Sequence, residues 1–146
     1  MIIGFCGHAD FHSALGYEER MQDLLEKIVG DRKTDMYIGG YGNFDSFAYQ
    51  CCAEYKKKHP KINIVYITPY LTESALKKGE KYDAVIYPEL EGVPPRFAIL
   101  ERNKYIVERS DALIAFVNRN FGGAYKTYRY AKTKRKIIYN LAENNW

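Results

Sequence analysis

The chain has 146 residues, 47% of them hydrophobic, enough for the core of one α/β domain spanning 1–146 and too few for two ordinary domains. A net charge of +4 is too small to single out nucleic acid as a partner, and it suits any anionic ligand. The three cysteines lack the paired spacing of zinc or redox sites. With no charged-then-apolar leader and no apolar run near the roughly 20 residues that span a bilayer, a cytoplasmic protein with reduced cysteines and no membrane contact is expected.

Residues 1–6 (MIIGFC) read as a central strand that ends in Gly7-His8-Ala9-Asp10. Gly7 and His8 are candidate ligand contacts: His8 can hydrogen-bond a phosphate or sugar hydroxyl, or act as an acid or base near neutral pH. His8 and His12 stand four residues apart, but no third ligand accompanies them, so no metal is expected. Met21, Leu24, Leu25 and Ile28 recur at helical spacing within 16–29 and predict an amphipathic packing helix. A second strand over 35–38 leads into GGYGNFD.

In that motif Gly39, Gly40 and Gly42 strip the side chains from a strand-to-helix turn, where a ligand can approach the backbone. Asn43 or Asp45 suits the cap of the following helix. Asp45 has a second reading, as an acceptor for ribose hydroxyls or a water-positioning group. The stripe Phe44, Phe47, Ala48, Cys51, Cys52 and Tyr55 makes this helix a core element, ended by Lys56 to Pro60. Residues 62–68 (INIVYIT) form a third strand. Tyr70 beyond it reads as an ordinary proline-turn aromatic, with stacking on a base as the alternative.

A short helix is expected within 71–82, a fourth strand over 83–87, a Pro- and Glu-rich loop over 88–95 and a long helix from Pro95 to about Ser110. On that helix Arg102 and Asn103 share a face with Ile99 and Ile106. A buried Arg needs a partner, either a carboxylate such as Asp111 or Glu101 or an anionic ligand. Residues 111–117 (DALIAFV) have the continuous apolar pattern of a parallel strand covered on both faces. After it come Asn118, the adjacent Gly122 and Gly123, and a helix over 124–132 that carries Thr127. Free N–H groups at such a helix start attract phosphate. A last strand over 136–141 and a tail over 142–146 close the chain.

The alternation predicts a Rossmann-like α/β fold, a doubly wound, mainly parallel sheet with helices on both faces, and three glycine turns on one edge. Arg102-Asn103, then SDALIAF, then GGAYKTYRYA, with GGYGNFD in the position of a first glycine-rich turn, resembles the SLOG superfamily. That superfamily includes the lonely-guy cytokinin-activating proteins and the DNA-processing protein A group. GFCGHADF at the start is similar to the opening of short single-domain members from bacteria and their mobile elements. The resemblance implies a nucleotide or nucleotide-derived ligand, bound by a sensor or regulatory module, and common association into homo-oligomers.

Two alternatives come with it. Lonely-guy enzymes are phosphoribohydrolases that cleave nucleoside monophosphates, and they carry an Arg matched here by Arg102. They also carry a Glu just after the second glycine motif, where this chain reads Ala124, Tyr125, Lys126. No catalytic residue is therefore assigned, since each such charge-stabilising group is worth about 100-fold or more. Single-strand DNA binding would need a continuous basic groove with stacking aromatics; Lys126, Arg129, Lys132 and Lys134 offer basic material, but Glu89, Glu91 and Glu101 lie in or beside the loop near the expected site.

Overall fold

The computed structural model describes residues 1–143; the end of the expected tail lies outside them. The chain alternates β1 (Ile2–Gly7), α1 (Tyr17–Ile28), β2 (Thr34–Ile38), α2 (Asn43–Lys56), β3 (Ile62–Ile67), α3 (Glu73–Gly79), β4 (Ala84–Ile86), α4 (Ala98–Arg109), β5 (Ala112–Phe116), α5 (Gly123–Thr133) and β6 (Ile137–Asn140). All strand pairs are parallel, in the order β4-β3-β2-β1-β5-β6. The N-terminal strand β1 is central. It pairs with β2 through Ile3↔Met36 and with β5 through Ile3↔Ala112.

Alternation along the strands builds the two faces. Ile3, Phe5, Met36, Ile38, Ile114 and Phe116 join Leu24, Leu25, Phe44 and Phe47 under α1 and α2. On the other face Leu113 packs with Val107 of α4 and Ala131 of α5, and Cys6 and Ala115 meet Ala124 and Tyr128. Gly4 lets α4 approach the sheet: a Cβ there would lie 2.4 Å from Ser110 Oγ and 2.7 Å from Ile106 Cγ2. Doubly wound architecture with helices on both faces is thus present. All three cysteines are buried and unpaired. No described helix is long and apolar enough to cross a membrane.

Two local expectations need correction. The long helix from Pro95 opens as a 3₁₀ turn over Pro95–Phe97, and α4 proper begins at Ala98. Proline tolerates that tighter first turn because its missing donor has no partner to lose. More consequential, neither Asn43 nor Asp45 caps α2. The N-cap is Gly42, at φ 90° and ψ −179°, a region essentially restricted to glycine, with no side-chain cap bond. Asp45 Oδ2 instead accepts the N–H of Tyr41 at 2.9 Å. It reaches back over the turn as the acid of a capping box does, one residue further out.

Candidate ligand-binding cleft

β1 runs between β2 and β5, so the chain leaves it in opposite directions and a crevice opens at the strand carboxyl ends. Backbone and side chains both span this crevice, beginning with the His8 N–H, which donates to Phe116 O at 3.3 Å. His8, 3% exposed, accepts the Asn118 N–H on Nε2 at 3.1 Å, and Arg119 Nη1 stands 3.0 Å from a carboxylate oxygen of Asp10. Acting as acceptor fixes His8 as the neutral, Nδ1-protonated ring. Burial first, then the Arg119 charge, lowers its pKa and favours that form. Asn140 of β6, 4% exposed, clamps the end of β5, with Oδ1 accepting from Val117 N at 3.1 Å and Nδ2 donating to Val117 O at 2.9 Å.

A cleft of about 170 Å³ lies at these strand ends. Of the residues singled out in the sequence, Gly7, His8, Gly39, Asp45, Arg102, Asn103, Gly123 and Thr127 line it. Gly40 belongs to an adjoining cavity, and Gly42 and Asn43 line another beyond the turn. Asn118 contributes its backbone N–H to His8, and Gly122 the N-cap of α5 at φ 92° and ψ 176°. Thr127 Oγ1 donates to Gly123 O at 3.0 Å, fixing the first turn of α5. Sequence reasoning missed Tyr41 and Arg119, which also line the cleft. Within NRNF nothing periodic marked Arg119, although a cation just past a buried strand was a usable signal.

Arg102 is 2% exposed, and neither Asp111 nor Glu101 pairs with it. Asp111 Oδ2 accepts the Ile2 N–H at 2.8 Å, and Glu101 meets Lys104 at 3.3 Å. Arg102 Nη1 donates to Gly39 O at 2.6 Å and Ile67 O at 2.8 Å, tying the ends of β2 and β3, while Nε donates to Asn103 Oδ1 at 2.9 Å. Gly39 is required here, since a Cβ would sit 2.8 Å from the guanidinium carbon. The bonded acceptors are all uncharged. Burial lowers the Arg102 pKa, and Asp45 is the main influence opposing it.

Asp45, 7% exposed, is the carboxylate of the cleft lining. Burial raises its pKa to about 6, against the Tyr41 N–H and the Arg102 charge, which pull it down. Burial with the nearby Asp45 charge likewise lifts the Cys6 thiol to about 12, which leaves it inert. No group of three His, Cys, Asp or Glu side chains that could hold a metal occurs among the described residues.

No protein-family model and no curated protein matches the chain. Solved structures do. DNA processing protein A from Helicobacter pylori, described for its single-stranded DNA binding mode, superposes with a TM-score of 0.64 at 15% identity over 94% of this chain and 63% of its own. DNA processing protein A from Streptococcus pneumoniae gives 0.65 at 11% identity, over 93% of this chain and 48% of its own. The structural-genomics target TM1055 gives 0.60 at 12% identity, over 94% and 71%. This chain therefore spans about half to seven tenths of the structures it resembles. At such identities the likeness establishes architecture alone, and the architecture is a Rossmann-like α/β fold with an all-parallel sheet.

Proposed function

We propose that the cleft binds a nucleotide or nucleotide-derived ligand through its anionic group, and that the chain acts as a sensor or regulatory module. The observation that carries this reading is Arg102, a 2% exposed cation whose bonded partners are two carbonyls and an amide oxygen. Buried charges are ordinarily paired; Asp45 acts on Arg102 through its field without a bond between them, and a phosphate at the strand ends supplies a bonded counter-charge. α5 adds free N–H groups at its start and has no acidic residue in its first turn.

Titration calorimetry with adenosine, guanosine, cytidine and uridine 5′-monophosphates and ribose 5-phosphate tests the reading. At least one is expected to bind; binding by none overturns it. Arg102→Ala is expected to lower affinity roughly 30- to 150-fold, the equivalent of about 2 to 3 kcal/mol for a charge-assisted contact. The same change costs stability by orphaning two carbonyls, about 1 to 3 kcal/mol for each. Unchanged affinity in the folded variant would make Arg102 purely structural.

A second reading rests on Asp45, whose buried carboxyl has a pKa of about 6 inside the cleft. A group titrating near working pH suits acid–base catalysis, so hydrolysis of a nucleoside monophosphate is the competing activity. Release of free base at roughly 1 per second or faster, abolished by Asp45→Asn, would establish it. The DNA-binding description of the Helicobacter neighbour adds a further outcome: oligonucleotide binding that weakens steeply with salt would replace the mononucleotide reading.

A further inference from the structure

The cleft does not stop at Arg102. Gly39, Tyr41, Ile99 and Arg102 also line the adjoining cavity, of about 410 Å³, so the two are lobes of one depression with the guanidinium at their junction. Pockets for whole ligands run to roughly 300–1,000 Å³, and the first lobe at about 170 Å³ holds only part of one. Resting on the nucleotide reading above, we propose that the second lobe seats the planar base, so that a nucleoside phosphate lies across Arg102 with its phosphate in the first lobe.

The lobes differ in chemistry as this arrangement requires. The first holds Arg119, whose Nε is buried without a hydrogen-bond partner, and Gly123, where an added Cβ would meet nothing within 4 Å. A donor without an acceptor and an open stretch of helix-start backbone both fit a phosphate. The second lobe is walled by Tyr41, Tyr66, Pro69 and Tyr70. Tyr66 is held by stacking on Tyr82 at 5.1 Å and 24°, and Gly40 brings the backbone against its ring, a Cβ there lying 2.6 Å from Tyr66 Cε1. Tyr41 at 58% exposed and Tyr70 at 38% are not consumed by the core. Rings presented at the rim of a lobe accept a stacked base, whatever its identity.

The test is titration of the full chain with the four nucleoside 5′-monophosphates and ribose 5-phosphate, which lacks only the base. At least one nucleotide is expected to bind roughly ten- to hundredfold more tightly than ribose 5-phosphate, the gain of one base–aromatic stack. Tyr70→Ala and Ser74→Trp, both at exposed positions of the second lobe, are expected to erase that advantage and leave ribose 5-phosphate affinity within about twofold. Ribose 5-phosphate binding as well as every nucleotide, or both variants preserving the advantage, would overturn the proposal while leaving the anion site standing. Binding of nothing would overturn both. Melting curves of the two variants confirm that they are folded when titrated.

Discussion

At the turn between β2 and α2 an added methyl group has nowhere to go, whereas at the turn between β5 and α5 it meets no atom within 4 Å. The backbones at the two N-caps are nearly the same, Gly42 at φ 90° and ψ −179° and Gly122 at φ 92° and ψ 176°. A Cβ on Gly42 would lie 2.5 Å from the Ala9 Cα, and one on Gly39 would strike Arg102. Similar glycine pairs therefore serve different ends. The first turn is a joint that locks the β1 loop, the buried arginine and α2 together; the second keeps its backbone open. Gly123 has neither a positive φ nor a packing neighbour, so nothing inside the protein calls for glycine there.

The largest test of this contrast is Gly42→Ala beside Gly122→Ala. Both incur the strain of a glycine-only backbone region, about 1 to 3 kcal/mol. Gly42→Ala adds a clash with fixed backbone, roughly another 1 to 3 kcal/mol. Urea unfolding should show the greater loss at Gly42, and equal losses would break the contrast. Asp45→Asn comes next, because Asp45 is the acid that ties the first turn. A carboxyl raised from 3.8 unfolded to about 6 folded contributes stability that is full below pH 4 and lost as pH rises through 6. At pH 7.5 the ionised form costs up to about 3 kcal/mol, so Asp45→Asn is expected to stabilise the protein there, with the gain vanishing toward pH 4.

His8 acts in the opposite sense, its lowered pKa making acidification below about 6.5 destabilising. Wild type and Asp45→Asn share His8, so the difference between their urea midpoints isolates Asp45. A gain that grew on acidification would refute the assignment. The smallest effect is expected at Gly123→Ala, a change of between zero and about 1 kcal/mol in favour of the fold from reduced chain entropy. Nucleotide affinity should fall at the same time, because the new methyl occupies the open backbone. Loss of stability at Gly123 would mean that the second turn is also a packing joint.

The strands were legible because parallel strands covered on both faces read as continuous apolar runs. Residues 111–117 and 62–68 were found within two residues of their observed ends for this reason. The edge strand β4, with Ala84 and Val85 exposed, is shorter than its sequence suggested. Much of the cleft was legible too, since glycines and the face of α4 mark strand ends and helix sides. What escaped was contact across the chain. Which carbonyls hold Arg102, and that Asp45 serves Tyr41 rather than the helix, depend on placements of a few ångströms between segments that spacing does not encode. Arg119 and Tyr41 escaped because single side chains in loops carry no period.

The central place of β1 has a consequence for how the chain acquires its fold. Ile2 N reaches Asp111 Oδ2 across 109 residues, and β5 extends beyond that point. As the chain emerges from the ribosome, β1 can pair with β2 early but must wait for its other neighbour through roughly 5 to 20 seconds of synthesis. During that interval one long edge of a strand bearing Ile3 and Phe5 stands open, a template for mispairing. Closing so long a loop is entropically costly, and folding is expected to be slow for the protein's size. Ribosome-arrested chains ending before Ala112 should therefore be cleaved readily by protease, and those exposing β5 and β6 should resist.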